Sequence, residues 1–349
     1  MARSITQSQH PFRIFWFSAL ITVVLGIVVA LNGSLADLWL YSILVVLEVT
    51  FSFDNAVINS KVLKRMSSIW QTIFLTVGIL IAVFVVRFAL PILVVMFAAG
   101  TGFGDVIDLA LNHPDKYGEV LHEAAPVINA FGGAFLMMIG ISYFIDRKKD
   151  IHWLRLIESN LSRAGKYENF KALVMLSVAL IMYATIDPAY HTTVLVASIS
   201  GIVLHMLLEV MGAYFENHQA ANAKQLVGWA AFMSFMYLEV LDASFSFDGV
   251  VGAFAITSSI LLIIAGLGAG AIWVRSLTIY LLRTGTLDKY RYLEHGAHWA
   301  ILALGIVMML KLYHVEPPEW AIGSLGLVFV STAVISSVIE KRRQSTERP

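Results

Sequence analysis

The stretch LEVTFSFDN at residues 47–55 decides the fold, because it places Glu48 and Asp54 inside an apolar segment at 38–59. A charged side chain inside a membrane-spanning helix costs roughly 2.5–3.5 kcal/mol on insertion scales. The pattern recurs as LDASFSFDG at residues 241–249, again within a long apolar segment. Acids at matching places in two copies indicate a shared function for both motifs.

The composition is that of a membrane protein. Of 349 residues, 58% are hydrophobic and only 14% are charged, against about 25% charged residues in a soluble domain. Several apolar runs reach the length of about 20 residues that a membrane-spanning helix needs. The sequence therefore predicts an all-α, polytopic membrane helix bundle with about ten spans. These spans are expected at 14–32, 38–59, 69–100, 126–145, 171–186, 189–213, 227–256, 258–282, 297–313 and 319–339.

The composition also excludes several kinds of chemistry and partner. The chain has no cysteine, which rules out disulfides, thiolate metal sites and thiol catalysis. Its net charge of zero provides no global field for nucleic acid, so no such partner is expected. The expected partners are the lipid bilayer and a metal ion, and a homo-oligomer is compatible with the sequence. No prosthetic group is expected.

Basic residues indicate the orientation in the membrane. Lysine and arginine concentrate at 3–13, 61–65, 147–171, 283–291 and 341–348, whereas the loop at 105–123 is mainly acidic. The positive-inside rule then predicts a multi-pass protein of the cell (inner) membrane with both termini in the cytoplasm. The first span is expected to be an uncleaved anchor.

This topology reverses the direction of the second motif relative to the first. Further positions then correspond between the two halves: Arg87 matches Arg275, and Gly140 matches Gly305. We expect two inverted three-helix repeats, an arrangement that places a substrate site near the bilayer midplane.

The whole chain, 1–349, is thus predicted to be a single transmembrane domain. Its parts are repeat 1 at 38–145, a cytoplasmic amphipathic loop with linking spans at 146–226, repeat 2 at 227–313, and a terminal span with a basic tail at 319–349.

Every candidate donor in the two motifs is an oxygen atom, which suits hard divalent cations such as Mn²⁺, Mg²⁺ or Ca²⁺. The candidate metal ligands are Glu48, Asp54, Asn55, Glu239, Asp242 and Asp248. Residues expected to support the ligands or to compensate their charge are Thr50, Ser52, Arg87, Ser244, Ser246 and Arg275. Five acids and two arginines sum to −3, which one divalent cation reduces to −1. A proton could cancel the remaining charge of −1, which suggests that the metal is exchanged for protons.

The spacing within the first motif predicts a break in the helix. Glu48 and Asp54 lie six residues apart, which is about 240° around an unbroken helix. The residues between them are poorer helix formers than alanine or leucine. Asn55 and Gly249, which follow the two aspartates, tolerate left-handed backbone. We therefore expect both motif helices to be kinked or unwound near the aspartate.

Both motifs resemble signatures of the TerC family of integral membrane proteins, within the wider LysE-like transporter group. The family pattern E-x-x-[LF]-S-x-D-N matches residues 48–55, and E-x-x-D-x-x-F-[AS]-x-D matches 239–248. Similar stretches occur at 253–257, 275–277 and 290–296. The resemblance implies metal-ion homeostasis, especially manganese export, in a family named for tellurium (tellurite) resistance. The family usually continues Asp-Ser-Ile-Pro after the second motif, whereas this chain continues Asp-Gly-Val-Val at 248–251.

Other functions remain open from sequence alone. The acids could serve only to pair with Arg87 and Arg275 and hold helices together. A small cationic solute such as an amino acid could be the exported substrate, and a non-transporting membrane-assembly factor is a further alternative. An aspartyl protease is disfavoured, because Asp105 of the sequence GFGD at 102–105 falls in an outer loop. We expect no enzymatic activity.

Overall fold

The fold is known from a computed structural model, which describes residues 11–147, 149, 151–167, 169–218, 225–254, 256–257, 259–315 and 317–346. Within these ranges it does not describe the side chains of residues 97–99, 247–248, 251, 319–320, 323 and 345–346. The described residues form α-helices and no β-strand, which confirms the predicted all-α class.

The α-helices of the described residues follow one another with short connections. They are α1 Pro11–Asn32, α2 Leu35–Phe51, α3 Phe53–Arg65, α4 Ser68–Leu80, α5 Leu90–Ala99, α6 Phe103–Asn112, α7 Pro114–Glu123, α8 Ala125–Ile145, α9 Arg155–Ala164, α10 Phe170–Thr185, α11 His191–Asn217, α12 Gly228–Phe254, α13 Ile260–Thr284, α14 Thr286–Lys289, α15 Leu293–Lys311 and α16 Glu319–Thr346. A π-helical segment, Ile81–Ala89, joins α4 to α5.

Seven helical segments of the described chain are long and apolar enough to cross a membrane, and an eighth is formed if α2 and α3 make one bent span. Two further predicted spans lie outside this set. Helix α10 has only 16 residues, and α12 carries the acids of the second motif. The protein is thus a helical protein suited to crossing a bilayer several times, while ten spans, their orientation and the inverted repeats stay predictions.

The first motif breaks its helix as predicted. Helix α2 ends at Phe51 and α3 begins at Phe53, with a bend of 50° between them. Ser52 at the break has φ −100° and ψ 15°. Helix α12 instead runs through the second motif to Phe254, so the prediction of an unwound backbone beside Asp248 is wrong. Glycine at 249 permits left-handed backbone but does not require it.

Small residues bring the central helices together. Helix α8 packs between α11 and α15. The Gly140 and Gly305 positions, matched in sequence, both lie at the α8–α15 contact, where they face Leu302 and Met137. Close backbone approach through small residues is typical of helix packing in membranes.

Gly201 of α11 provides a test of this packing, since a methyl group there would overlap the carbonyl oxygen of Phe131. We expect Gly201→Ala to lower the free energy of unfolding by about 1–3 kcal/mol through overpacking. Thermal unfolding in detergent measures the change. Gly212→Ala in the same helix is the matched control, because no atom lies within 4 Å of the added methyl group. Equal stability of the two variants would contradict the close packing of α8 on α11.

Candidate functional site

Charged residues of four elements meet in the interior of the bundle. Glu48 comes from α2, Arg87 from the π-helical segment, Glu239 and Asp242 from α12, and Arg275 from α13, and all five side chains are buried. A wide π-helical turn is often found at functional positions, and here it carries Arg87. We call these five residues the charge cluster.

Asp242 lies at the centre of the charge cluster, between two arginines. Its Oδ2 atom is 3.7 Å from Arg87 Nη1 and 3.7 Å from Arg275 Nη2. Its Oδ1 atom accepts a hydrogen bond from Asn55 Nδ2 at 2.8 Å. Asp242 therefore connects the two halves of the cluster and ties α3 to α12.

Each arginine also binds a second acid and a backbone carbonyl. Arg87 pairs with Glu48 and donates to the carbonyl of Ala82 at 2.8 Å. Arg275 makes two parallel hydrogen bonds of 3.1 Å with Glu239. Such bidentate pairs combine strength with a defined geometry.

Further contacts fill the surroundings of Arg275. It donates to the carbonyl of Phe74 at 3.1 Å and lies 3.9 Å from the centroid of that ring. A Cβ on Gly78 would come within 2.5 Å of Arg275 Nη1 and 2.7 Å of Glu239 Oε1. The absence of a side chain at Gly78 therefore provides the space that the Arg275–Glu239 pair occupies.

The charge cluster does not reach neutrality. Three carboxylates face two guanidinium groups, so its formal charge is −1. Asp242 Oδ2 and Asn55 Oδ1 are buried and make no hydrogen bond among the described residues. The centre of the bundle thus keeps oxygen acceptors that the protein itself does not fully satisfy.

Asp54 is separate from the charge cluster. It lies in the first turn of α3, is 2% exposed, and accepts a hydrogen bond from the Asn55 backbone at 3.0 Å. No basic side chain within the described ranges forms an ion pair with it. Helix α16 approaches it at Gly326, where an added Cβ would lie 3.5 Å from the carboxylate carbon. Asp54 is thus a buried carboxylate whose charge has no arginine partner in the described structure.

A cavity of about 30 Å³ adjoins Asp54, and we call it the Asp54 cavity. Its polar lining residues are Glu48, Ser52 and Asp54. Ser52 Oγ donates to Glu48 Oε1 at 3.0 Å, while Glu48 Oε2 points toward Gly249, 3.7 Å from where a Cβ would lie. Glu48 therefore belongs to both the charge cluster and the cavity.

The structure brings together some of the sequence-predicted site residues and not others. Glu48, Asn55, Glu239, Asp242, Arg87 and Arg275 meet in or beside the charge cluster, and Ser52 meets Asp54 at the cavity. Thr50 and Ser244 donate to carbonyls of their own helices. Ser246 is buried with no hydrogen bond from its hydroxyl in the described structure. The side chain of Asp248 lies outside the described residues.

No group of three or more His, Cys, Asp or Glu side chains in the described structure is placed to hold one metal ion. The physical reason is that Arg87 and Arg275 lie between the acids and separate Glu48, Asp242 and Glu239 from one another. The six predicted ligands do not form one shared cage among the described side chains, and their role as ligands stays a prediction.

A second buried polar cluster was missed from sequence. Glu158 of α9 is 1% exposed and accepts hydrogen bonds from His295 at 2.8 Å, Trp299 at 3.0 Å and the Trp153 backbone at 2.9 Å. An ionised carboxylate only accepts, so His295 Nδ1 carries the proton. We call this set the loop anchor. Helix α9 lies within the region that the sequence predicts to contain an amphipathic loop, but local periodicity contains no signal for a partner more than a hundred residues away.

Charged side chains from the adjoining loop, α3 and α15 lie near the loop anchor. Lys149 Nζ lies 3.2 Å from the centroid of the Tyr143 ring, and burial lowers the pKa of Lys149 to about 7. Lys61 of α3 pairs with Glu294 of α15 at 2.6 Å. The loop anchor and this pair together join the 146–169 region to α3 and α15, the helices of Asp54 and of one cavity wall.

The fold and the site define a multi-helix apolar protein with a buried network of acids and arginines at its centre. The chain belongs to the family described as "Protein of unknown function (DUF475)", whose model matches residues 53–344. It matches no curated protein and no solved structure.

Removing one partner of the Glu239–Arg275 pair should leave the other buried side chain without its bidentate counter-ion. We expect Glu239→Gln and Arg275→Gln each to lower the free energy of unfolding by about 3–5 kcal/mol, and the double variant to lose less than the sum of both. Thermal unfolding in detergent measures all three. The control is Lys64→Gln, which breaks the exposed Lys64–Asp288 pair and should cost at most about 1 kcal/mol. Additive losses would show that the buried pair is not coupled.

The loop anchor should weaken in acid. Burial by itself raises the pKa of Glu158, but hydrogen bonds from His295 and Trp299 outweigh it and lower the pKa from 4.5 to about 2. Because the folded-state pKa is lowered, Glu158 stabilises docking of α9 above pH 4.5, by about 3 kcal/mol. This contribution is lost as the pH falls from 4.5 toward 2.

Hydrogen exchange of the amides of α9, corrected for intrinsic rates, measures this dependence. Glu158→Gln should expose α9 at every pH and remove the acid-dependent change, whereas Arg155→Gln in the same helix should behave as wild type. A variant with wild-type protection would contradict anchoring by Glu158.

Proposed function

We propose that the protein is a secondary transporter that exports a divalent metal cation, with Mn²⁺ as the cargo and protons as the counter-ion. The observation that carries the proposal is Asp54, a buried carboxylate in an apolar bundle with no basic partner among the described residues. An ionisable residue inside a membrane protein is expensive to bury and is by default a candidate for substrate or ion binding.

The donor set of the Asp54 cavity supports a hard cation. Asp54, Glu48 Oε2 and the Ser52 hydroxyl offer only oxygen atoms, the ligands that Mn²⁺, Mg²⁺ and Ca²⁺ prefer. The −1 of Asp54 and the net −1 of the charge cluster, to which Glu48 belongs, together neutralise a divalent charge. Arg87 holds the other Glu48 oxygen and limits the movement of this side chain.

The charge cluster has a different role in this proposal from the one that sequence suggested. Its arginines compensate Glu239 and Asp242, so these acids position Glu48 and Asn55 rather than bind the cation directly. Protonation of Asp54 replaces one of the two positive charges after the cation leaves, which couples the flux of metal to that of protons.

Two further observations favour a metal over the alternatives. A cavity of about 30 Å³ holds a small ion with one or two waters but not an amino acid, so a cationic solute fits less well. The resemblance of both motifs to the TerC family points to metal-ion homeostasis and to manganese. A membrane-assembly role needs no buried unpaired carboxylate.

Transport into proteoliposomes loaded with a Mn²⁺-sensitive dye tests the proposal. Asp54→Asn removes one charge and one ligand and should reduce the Mn²⁺ flux at least about ten-fold, which corresponds to about 1.4 kcal/mol. The matched control is Asp288→Asn at an exposed position, which should transport as wild type.

Calorimetric titration with Mn²⁺, Mg²⁺, Ca²⁺ and lysine separates the alternatives. Selective binding of a metal that is lost in Asp54→Asn supports the proposal. Flux competed by lysine and not by Mg²⁺ or Ca²⁺ would support a cationic solute instead. Wild-type protein with neither metal affinity nor flux would exclude transport and favour the assembly role.

A further inference from the structure

A second small cavity lies on the other side of Glu48. It measures about 10 Å³, and we call it the Leu44 cavity. Its lining residues are Leu44, Leu47, Glu48, Phe51, Gly249, Gly252, Ala253, Ile256 and Leu267. Glu48, Phe51 and Gly249 also line the Asp54 cavity. The two cavities therefore adjoin one another at these three residues.

The order of the lining residues gives the direction of the helices. Along α2 and α3 the chain runs from the Leu44 cavity, at Leu44, to the Asp54 cavity, at Asp54. Along α12 it runs the other way, from Phe245 at the Asp54 cavity to Ala253 at the Leu44 cavity. The two motif helices thus run antiparallel past one another. Both cavities follow the seam between them.

Of the three shared residues, Phe51 lies beside the helix break. It is the last residue of α2 and adjoins the 50° bend at Ser52, so a change in the bend would reorient its ring. Gly249 on the facing helix has no side chain. Glu48 is held on one oxygen by Arg87 and Ser52, and its other oxygen faces the seam.

We propose that Phe51 is the gate of a continuous path along the α2–α12 seam, which leads from the Asp54 cavity past Glu48 to the Leu44 cavity. This inference rests on the proposed transport function, for which it names the path of the cation and the residue that controls the rate of its passage. The Phe51 ring blocks the step from Asp54 to Glu48 Oε2, and its rotation at the helix break opens the step. The apolar lining of the Leu44 cavity makes a dry barrier beyond the gate, as in pores that close by dewetting.

The absence of cysteine from the chain allows a direct test with single cysteines in the otherwise native protein. Ala300→Cys reports on the Asp54 cavity and Ala253→Cys on the Leu44 cavity. Ala269→Cys is the matched control, because Ala269 is as deeply buried as Ala253 and Ala300 but lines neither cavity. A small, cationic, membrane-impermeant methanethiosulfonate is added from either side of sealed vesicles, and the modification rate is measured by mass spectrometry.

With Phe51 intact, the Ala300→Cys and Ala253→Cys positions should react from opposite sides. Adding Phe51→Ala should make each react from the other side as well, at least about ten-fold faster than before, while Ala269→Cys stays unreactive. Phe51→Leu keeps a bulky side chain and should leave the rates near those of wild type. Unchanged rates in a folded Phe51→Ala protein, or equal modification of the Ala269→Cys control, would overturn the gate.

Gly249→Ala is an independent variant that should narrow the path, whereas Phe51→Ala should widen it. It keeps the test valid if Phe51→Ala does not fold. The added methyl group would lie in ordinary contact, 3.7 Å from Glu48 Oε2, and narrows the seam. We expect Mn²⁺ flux to fall at least about five-fold with normal stability, and unchanged flux would contradict the path.

Failure of the gate and failure of the transport proposal give different results. Gated labelling in a protein without Mn²⁺ flux would retain the path and reject the metal as cargo. Mn²⁺ flux that depends on Asp54, together with labelling that ignores Phe51, would retain the transporter and reject the gate.

Discussion

The structure depends on the two arginines that enclose Asp242. Charged groups are tolerated in an apolar bundle only when partners replace the water that they lose. Arg87 and Arg275 do so for three acids from two helices, and each also satisfies a backbone carbonyl. The position of α12 against α2, α3 and α13 therefore follows from this pairing as much as from apolar packing.

Pairing of the charge cluster also defines what is left over. Once the arginines engage Glu48, Asp242 and Glu239, the carboxylate of Asp54 and one oxygen of Glu48 remain beside the Asp54 cavity. In the proposed transporter, the hydrogen-bonded charge cluster would form the fixed wall of the site, and the helix break at Ser52 would form the wall that moves.

The loop anchor connects this centre to one end of the bundle. Glu158 inserts beside His295 of α15, and Ala300 and Leu304 of the same helix wall the Asp54 cavity. Lys61 of α3 pairs with Glu294 of α15. The loop anchor and the Asp54 cavity thus share helix α15, and the Lys61–Glu294 pair links this helix to α3.

Sequence alone determined the all-helical class, the apolar character, the break in the first motif and the presence of Glu48, Asp54, Arg87 and Arg275 within the apolar helices, because hydropathy and helix propensity are local properties. Only the tertiary structure decided which acid meets which arginine, since Arg275 reaches Asp242 from the next helix and Arg87 reaches it from a segment far away in sequence. The same holds for the isolation of Asp54, for the continuous helix through Gly249, and for the burial of Glu158. Each depends on which helix faces which, and that is set by the packing of the whole bundle.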